Sequence, residues 1–117
     1  MLNRERLCDY CLSQKAAVSD FPFGPDPEVF KVLGKMFALV PVDADPPTLT
    51  LKCDPMLAEI LRQTYPAVEA TFNRRHWNRV TVDGSIPDDE VLEMIDHSYA
   101  QVVKGLKKAD REKLEEK

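Results

Sequence analysis

The sequence predicts a two-layer α+β domain, an antiparallel sheet with helices on one face, in the order α-β(3)-α-β(2)-α. Three observations carry this. Residues 48–53 and 77–82 alternate apolar and polar side chains with the period of two that marks a half-buried strand. Leu57, Ile60, Leu61 and Thr64 recur at helical spacing, as do Val91, Ile95, Val102 and Leu106. Two apolar runs meet at Gly34 with so little between them that an antiparallel hairpin is the natural connection. Antiparallel strands whose helices cover one face leave the other to water or to a partner.

In chain order, residues 3–13 read as a short helix. Leu7, Tyr10 and Cys11 fall on one side, with Arg4, Glu5, Arg6 and Asp9 on the other. Phe21-Pro22-Phe23-Gly24-Pro25-Asp26-Pro27 forbids regular structure and forms a fixed loop, with room for a short extended piece before it. Residues 29–33 and 35–40 are the hairpin strands, and Gly34 can take a positive φ without strain. After the Asp43-Ala44-Asp45-Pro46-Pro47 turn, residues 48–53 place Leu49, Leu51 and Cys53 inward and Thr48, Thr50 and Lys52 outward. Asp54-Pro55 starts the second helix, since Asp54 can cap free N–H groups and Pro55 lacks one. That helix stops ahead of Pro66, because the residue before a proline is driven out of helical geometry. Phe72 belongs to a further short extended piece. Residues 77–82 turn Val80 and Val82 inward and Trp77, Arg79 and Thr81 outward. Asp83-Gly84 is a turn, and Pro87-Asp88-Asp89-Glu90 opens the longest helix with acids at its positive end. Its buried stripe is Val91, Ile95, Tyr99 or Ser98, Val102 and Leu106. Residues 1–106 form one domain; 107–117, nearly all charged, form a solvated helical extension or a frayed tail.

The 117 residues fit one domain, and 44% hydrophobic with 31% charged residues excludes wholesale disorder. A net charge of −4 argues against a protein coated in positive charge, as DNA packagers are. The total conceals a division. Residues 70–82 hold three arginines and no acid, while residues 83–103 hold six acids and neither Lys nor Arg. The longest apolar run, 36–40, is far short of the ~20 residues of a membrane span. No apolar stretch follows the N-terminus, and three cysteines are too few for a disulfide scaffold. The expectation is a cytoplasmic protein that does not enter membranes.

Cys8-Asp9-Tyr10-Cys11 has C-x-x-C spacing, but both cysteines fall inside a helix with no strand before it, unlike a redox motif. Cys53, His76 and His97 form no second ligand pair of the kind zinc needs, so the thiols read as packing residues and no metal is expected. Ser98-Tyr99 has no base at a suggestive spacing, and the four glycines are scattered rather than gathered in a phosphate loop. The acids of the last core helix fit its N-terminal turn and solvated face. No catalytic residue and no cofactor is expected. The richest segment is Asn73-Arg74-Arg75-His76-Trp77-Asn78-Arg79. Arginine offers a forked donor to phosphate, and an exposed indole stacks on a base. If Lys31 and Lys35 share the outward face of Lys52, Trp77 and Arg79, the open side of the sheet is basic with aromatics between. The competing role for Trp77 is to close the edge of the core.

Several segments together resemble the MmcQ/YjbR family of small bacterial proteins. They are Phe21-Pro22-Phe23-Gly24, Lys31-Val32-Leu33-Gly34-Lys35-Met36-Phe37-Ala38, Leu51-Lys52-Cys53-Asp54-Pro55, Asn73-Arg74-Arg75-His76-Trp77-Asn78, Asp83-Gly84-Ser85-Ile86-Pro87-Asp88 and Ser98-Tyr99. They occur in the family's order across most of the chain. Gln14-Lys15-Ala16 departs from it, standing where Pro-Gly-Ala is frequent. The resemblance implies a CyaY-like two-layer fold and DNA binding by a "double wing" arrangement, with no catalytic residues to carry over. The expectation is a non-enzymatic DNA-binding protein of low specificity, a monomer or weak dimer. Lys31, Lys35, Lys52, Arg74, Arg75, His76 and Arg79 would meet phosphate and Trp77 would stack. The alternative is a protein partner on the open sheet face.

Overall fold

Most local signals close into elements in the computed structural model, which describes residues 2–117; Met1, the first residue of the expected domain, lies outside them. Asn3 Oδ1 accepts from the Arg6 N–H at 2.9 Å and opens α1 (Arg4–Leu12). Strands β1 (Ala17–Asp20), β2 (Glu28–Val32) and β3 (Lys35–Val40) follow. Leu33 (φ 47°) and Gly34 (φ 83°) turn β2 into β3, and two positive φ values in succession match the right-handed twist of a hairpin. After β4 (Thr48–Lys52), Asp54 Oδ2 accepts from Leu57 N–H at 3.2 Å and caps α2 (Pro55–Thr64). Then come β5 (Val68–Ala70), β6 (Trp77–Thr81), α3 (Asp88–Lys104) and α4 (Lys108–Glu115).

The six strands form one antiparallel sheet in the order β1-β2-β3-β4-β6-β5. One core cluster joins Leu7 and Cys11 of α1 and Val91, Ile95 and Val102 of α3 to Phe30, Val32, Leu49, Leu51 and Val80 of the sheet. The helices therefore share a face, as expected. Val29 and Leu39 are buried but stand outside that cluster, and they are register partners on the other face. No helix among the described residues is long and apolar enough to cross a membrane.

Four local expectations change. Four strands rather than three precede α2, because residues 17–20 pair with β2 as an edge strand; mostly exposed on both faces, it leaves no alternation to read. The strand before β6 is Val68–Ala70, and Phe72 lies beyond it at φ 26°, 63% exposed. On α2 the apolar stripe is only partly covered: Leu61 packs against the core cluster and Leu57 is half-buried, but Ala58 alone is buried and Ile60 is 50% exposed. The charged tail is a helix whose Leu114 joins the core cluster, so one apolar residue among charges docks it.

α3 is held to the sheet by its middle. The β3–β4 register pairs Ala38 with Leu51 and Leu39 with Thr50, so Phe37 and Lys52 would come next. That rung is filled by a side chain: Ser98 Oγ accepts from Lys52 N–H at 2.8 Å and donates to the Phe37 carbonyl at 2.5 Å. Next to it, His97 Nε2 accepts from Asp54 N–H at 3.1 Å. Tyr99 donates to the Lys15 carbonyl at 2.7 Å and sets its ring edge-on to Phe37. Ser98, not Tyr99, is the buried member of the stripe.

Candidate nucleic-acid interface

Strand register sorts the expected binding residues by face. β4 and β6 pair Thr48 with Thr81, Thr50 with Arg79 and Lys52 with Trp77, so all six share the side away from the helices. A register shift between Phe30 and Lys31 makes Met36, not Phe37, the partner of Lys31. Lys31 lies on the open face by this pairing. Lys35, opposite Val32 at the end of the hairpin, takes the other parity. The expectation that Lys31 and Lys35 share a face is therefore corrected, and the bulge at Phe37 is the physical reason: one extra residue reverses parity.

Two of the open-face cations carry their own anions. Lys31 Nζ lies 3.2 Å from Asp20 Oδ2, and Arg79 Nη2 lies 2.8 Å from Glu69 Oε2. The Asp20 carboxyl is held below its ordinary value by the Phe21 N–H and then by Lys31. Both pairs are largely solvent-exposed and add little to stability, but each carboxylate offsets part of the attraction its cation offers a phosphate.

The unopposed positive charge gathers at one end of the sheet. Arg74 and Arg75 are exposed in the loop between β5 and β6, and Asn73 Oδ1 accepts from Arg75 N–H to shape it. Arg62, in the last turn of α2, donates to the Arg74 carbonyl at 2.8 Å and brings a further guanidinium there. Trp77 begins β6 half-buried, with the Phe72 ring edge-on at 5.7 Å between centroids. Lys52 is directly across from Trp77. His76, in the turn just before β6, gives its carbonyl to Cys53 N–H at 2.7 Å.

The sequence reading assigns neither Phe72 nor Arg62 to the binding surface. The signal for Phe72 was a large aromatic among polar residues, with only Ala70 as an apolar neighbour at period two. Arg62 had none, since only the end-to-end fold of α2 brings it to the loop. Asn78 was also passed over. It stands at inward parity between Trp77 and Arg79, and a polar residue at a core position was the available signal.

The cysteines have a packing environment. Burial pushes the Cys8 and Cys53 thiols up to about 11, and raises Cys11 further. Glu28, which accepts from Cys8 at 3.8 Å and pairs with Arg4 at 2.8 Å, also opposes the Cys8 thiolate.

The YjbR family model matches residues 12–101. "Uncharacterized protein YjbR" of Escherichia coli K12 is 34% identical over 110 residues, covering 92% of this chain and 93% of its own. "Uncharacterized protein YbdF" of Escherichia coli O157:H7 is 33% identical over 96 residues, with 80% and 79% covered. The crystal structure of Deinococcus radiodurans protein DR2400 superposes with a TM-score of 0.89 at 37% identity, over 97% of this chain and 88% of that one. A Pseudomonas syringae protein of known crystal structure superposes with a TM-score of 0.73 at 25% identity, over 86% and 98%.

Proposed function

This chain belongs to the YjbR family, and from that premise we propose that it is a non-enzymatic DNA-binding protein of low sequence specificity that grips single strands at the end of the β5–β6 hairpin. The observation that carries the reading is the aromatic pair Phe72–Trp77, flanked by Arg74, Arg75 and Lys52, in a stretch without a carboxylate from residue 70 to 82. An exposed ring stacks on any base whose face is free, at about 1–3 kcal/mol per base, and paired bases do not offer that face. Arginine and lysine beside the rings neutralise phosphate without reading sequence.

The footprint is small. Lys31 and Arg79 are engaged by Asp20 and Glu69, Lys35 lies on the other parity, and α3 carries five acids in its first nine residues. Three or four phosphate contacts correspond to a salt slope of about −2 to −3 for a single strand. Trp77 is the only tryptophan, so its emission reports stacking directly. Titration with a labelled single-stranded oligonucleotide at ~50 mM salt is expected to quench that emission. Arg74→Ala with Arg75→Ala is expected to reduce the magnitude of the slope by about 1.4. Absence of binding at low salt, or binding unaltered by that double substitution, defeats the reading.

A further inference from the structure

α2 and α3 do not close over the sheet. Between them, above β4 and β6, lies a cleft of about 430 Å³. That volume is in the range of small-molecule pockets. Its walls are apolar at Leu57, Leu61 and Met94, and acidic along α3 at Glu90 and Glu93. Lys52 borders it too, but its side chain takes the opposite parity and pairs with Trp77.

The hydrogen-bonding account of the cleft is uneven. Thr64 donates to the Ile60 carbonyl, and Tyr65 donates to Glu90. The His97 Nε2 lone pair is taken by Asp54 N–H. Two acceptors stand out. Glu93 is exposed and has no partner among the described residues. Asn78, 2% exposed, rises from β6 into the floor; its Nδ2 donates to the Ala58 carbonyl at 3.3 Å. Its Oδ1, on the branch of the amide turned away from Ala58, is buried without a partner. Reversing the amide would set oxygen against oxygen, so the orphan is an acceptor. An unmet acceptor of this kind is costly and calls for a donor.

The wall that covers it is a weak one. Ala58 is the only buried residue of α2, Met56 is 74% exposed, and Leu57 and Leu61 are half-buried. Parting Leu57 and Leu61, both half-buried, would open Oδ1 to a ligand with the loss of Leu61's packing against the edge of the core cluster.

We propose that the α2–α3 cleft binds a small amine with an apolar body, the ammonium shared between Asn78 Oδ1 and the Glu93 carboxylate and the hydrocarbon laid on Leu57, Leu61 and Met94. An ammonium is all donor and matches two acceptors, while a carboxylate ligand would meet Glu90 and Glu93 with like charge. The site shares no side chain with the Phe72–Trp77 footprint and does not depend on DNA binding.

The test is an amide NMR titration of the full chain with 4-phenylbutylamine, beside the matched alcohol and the matched carboxylate. Saturable shifts are expected in α2 and in residues 90–97 with the amine alone. Glu93→Gln is expected to weaken binding at least about threefold, the loss of one exposed charge contact. Asn78→Ala is expected to weaken it about tenfold. If Asn78→Ala does not fold, Glu93→Gln decides. Arg74→Ala with Arg75→Ala is expected to leave amine binding unchanged. The proposal is overturned if the alcohol binds as tightly as the amine, if Glu93→Gln has no effect, if the shifts map elsewhere, or if none saturates.

Discussion

Ser98 replaces a rung of the sheet, and that settles how a conspicuous residue of the chain is used. Its hydroxyl is fully buried and is spent in both directions, on Lys52 N–H and on the Phe37 carbonyl. A hydroxyl so committed is no nucleophile; it is a pin through β3, β4 and α3. Ser98→Ala leaves a buried donor and a buried acceptor unpaired, each at about 1–3 kcal/mol, so a loss of about 2–4 kcal/mol is expected in urea denaturation. A loss below ~0.5 kcal/mol would show that the rung closes without the hydroxyl. The sequence placed Ser98 on or next to the buried stripe of α3. It could not show that the β3–β4 pairing stops at Ala38 and Leu51, leaving the next rung to the hydroxyl.

At the scale of elements, capping and turn chemistry were legible because they are local. Asp54 caps α2 through Leu57 N–H as its position before Pro55 requires, and Asp54→Ala is expected to cost about 1 kcal/mol, seen as a lowered denaturation midpoint at unchanged slope. The backbone N–H of Asp54 binds His97, and that bond survives the substitution, so a much larger loss would mean that more than the cap had gone. Packing was less legible than capping. The stripe Leu57, Ile60, Leu61 on α2 is split by the fold: Leu57 and Leu61 line a cleft beside the buried Ala58, while Ile60 is 50% exposed. Periodicity reports that a helix is amphipathic; it does not report how closely a neighbouring helix approaches. β1 is the reverse case. It has no pattern because an edge strand exposed on both sides needs none, and only its pairing with β2 reveals it.

For the whole molecule, charge is divided between regions rather than spread. Residues 83–103, with six acids and no Lys or Arg, form α3 and the turn before it on the helical layer. Asp96 there accepts from Tyr10 and Gln14, so part of the acidity ties α1 to α3. Of the three arginines of residues 70–82, Arg74 and Arg75 lie in the loop at the end of the sheet, while Arg79 stands within β6 and pairs with Glu69. Buried thiols add a pH dependence. Cys8 and Cys53 rise from 9.0 to about 11 in the fold, chiefly by burial, and Cys11 rises also. Below pH 9 folded and unfolded chains both keep these protons. Above it the unfolded chain releases them while the folded chain does not, so stability falls as pH rises from about 9 toward 11. Urea denaturation at successive alkaline pH values is expected to show this decline; a flat profile would mean that the thiols are not held as the burial implies. The three tyrosines, raised in the same direction, steepen it further, Tyr10 and Tyr65 through the carboxylates they donate to.

The sequence by itself determined the α+β class, the hairpin at Gly34, the cap at Asp54, the inward and outward parity of β4 and β6, and the basic segment around Trp77. Those depend on neighbours within a few residues, where steric limits and side-chain period act directly. The tertiary structure decided what depends on meetings across the chain: Lys35 off the open face, Lys31 and Arg79 tied to Asp20 and Glu69, Arg62 and Phe72 brought to the arginine loop, Asn78 left with an unmet acceptor under α2. One inserted residue in β3 was enough to reverse a parity, and no local pattern records which rung of a ladder will carry it.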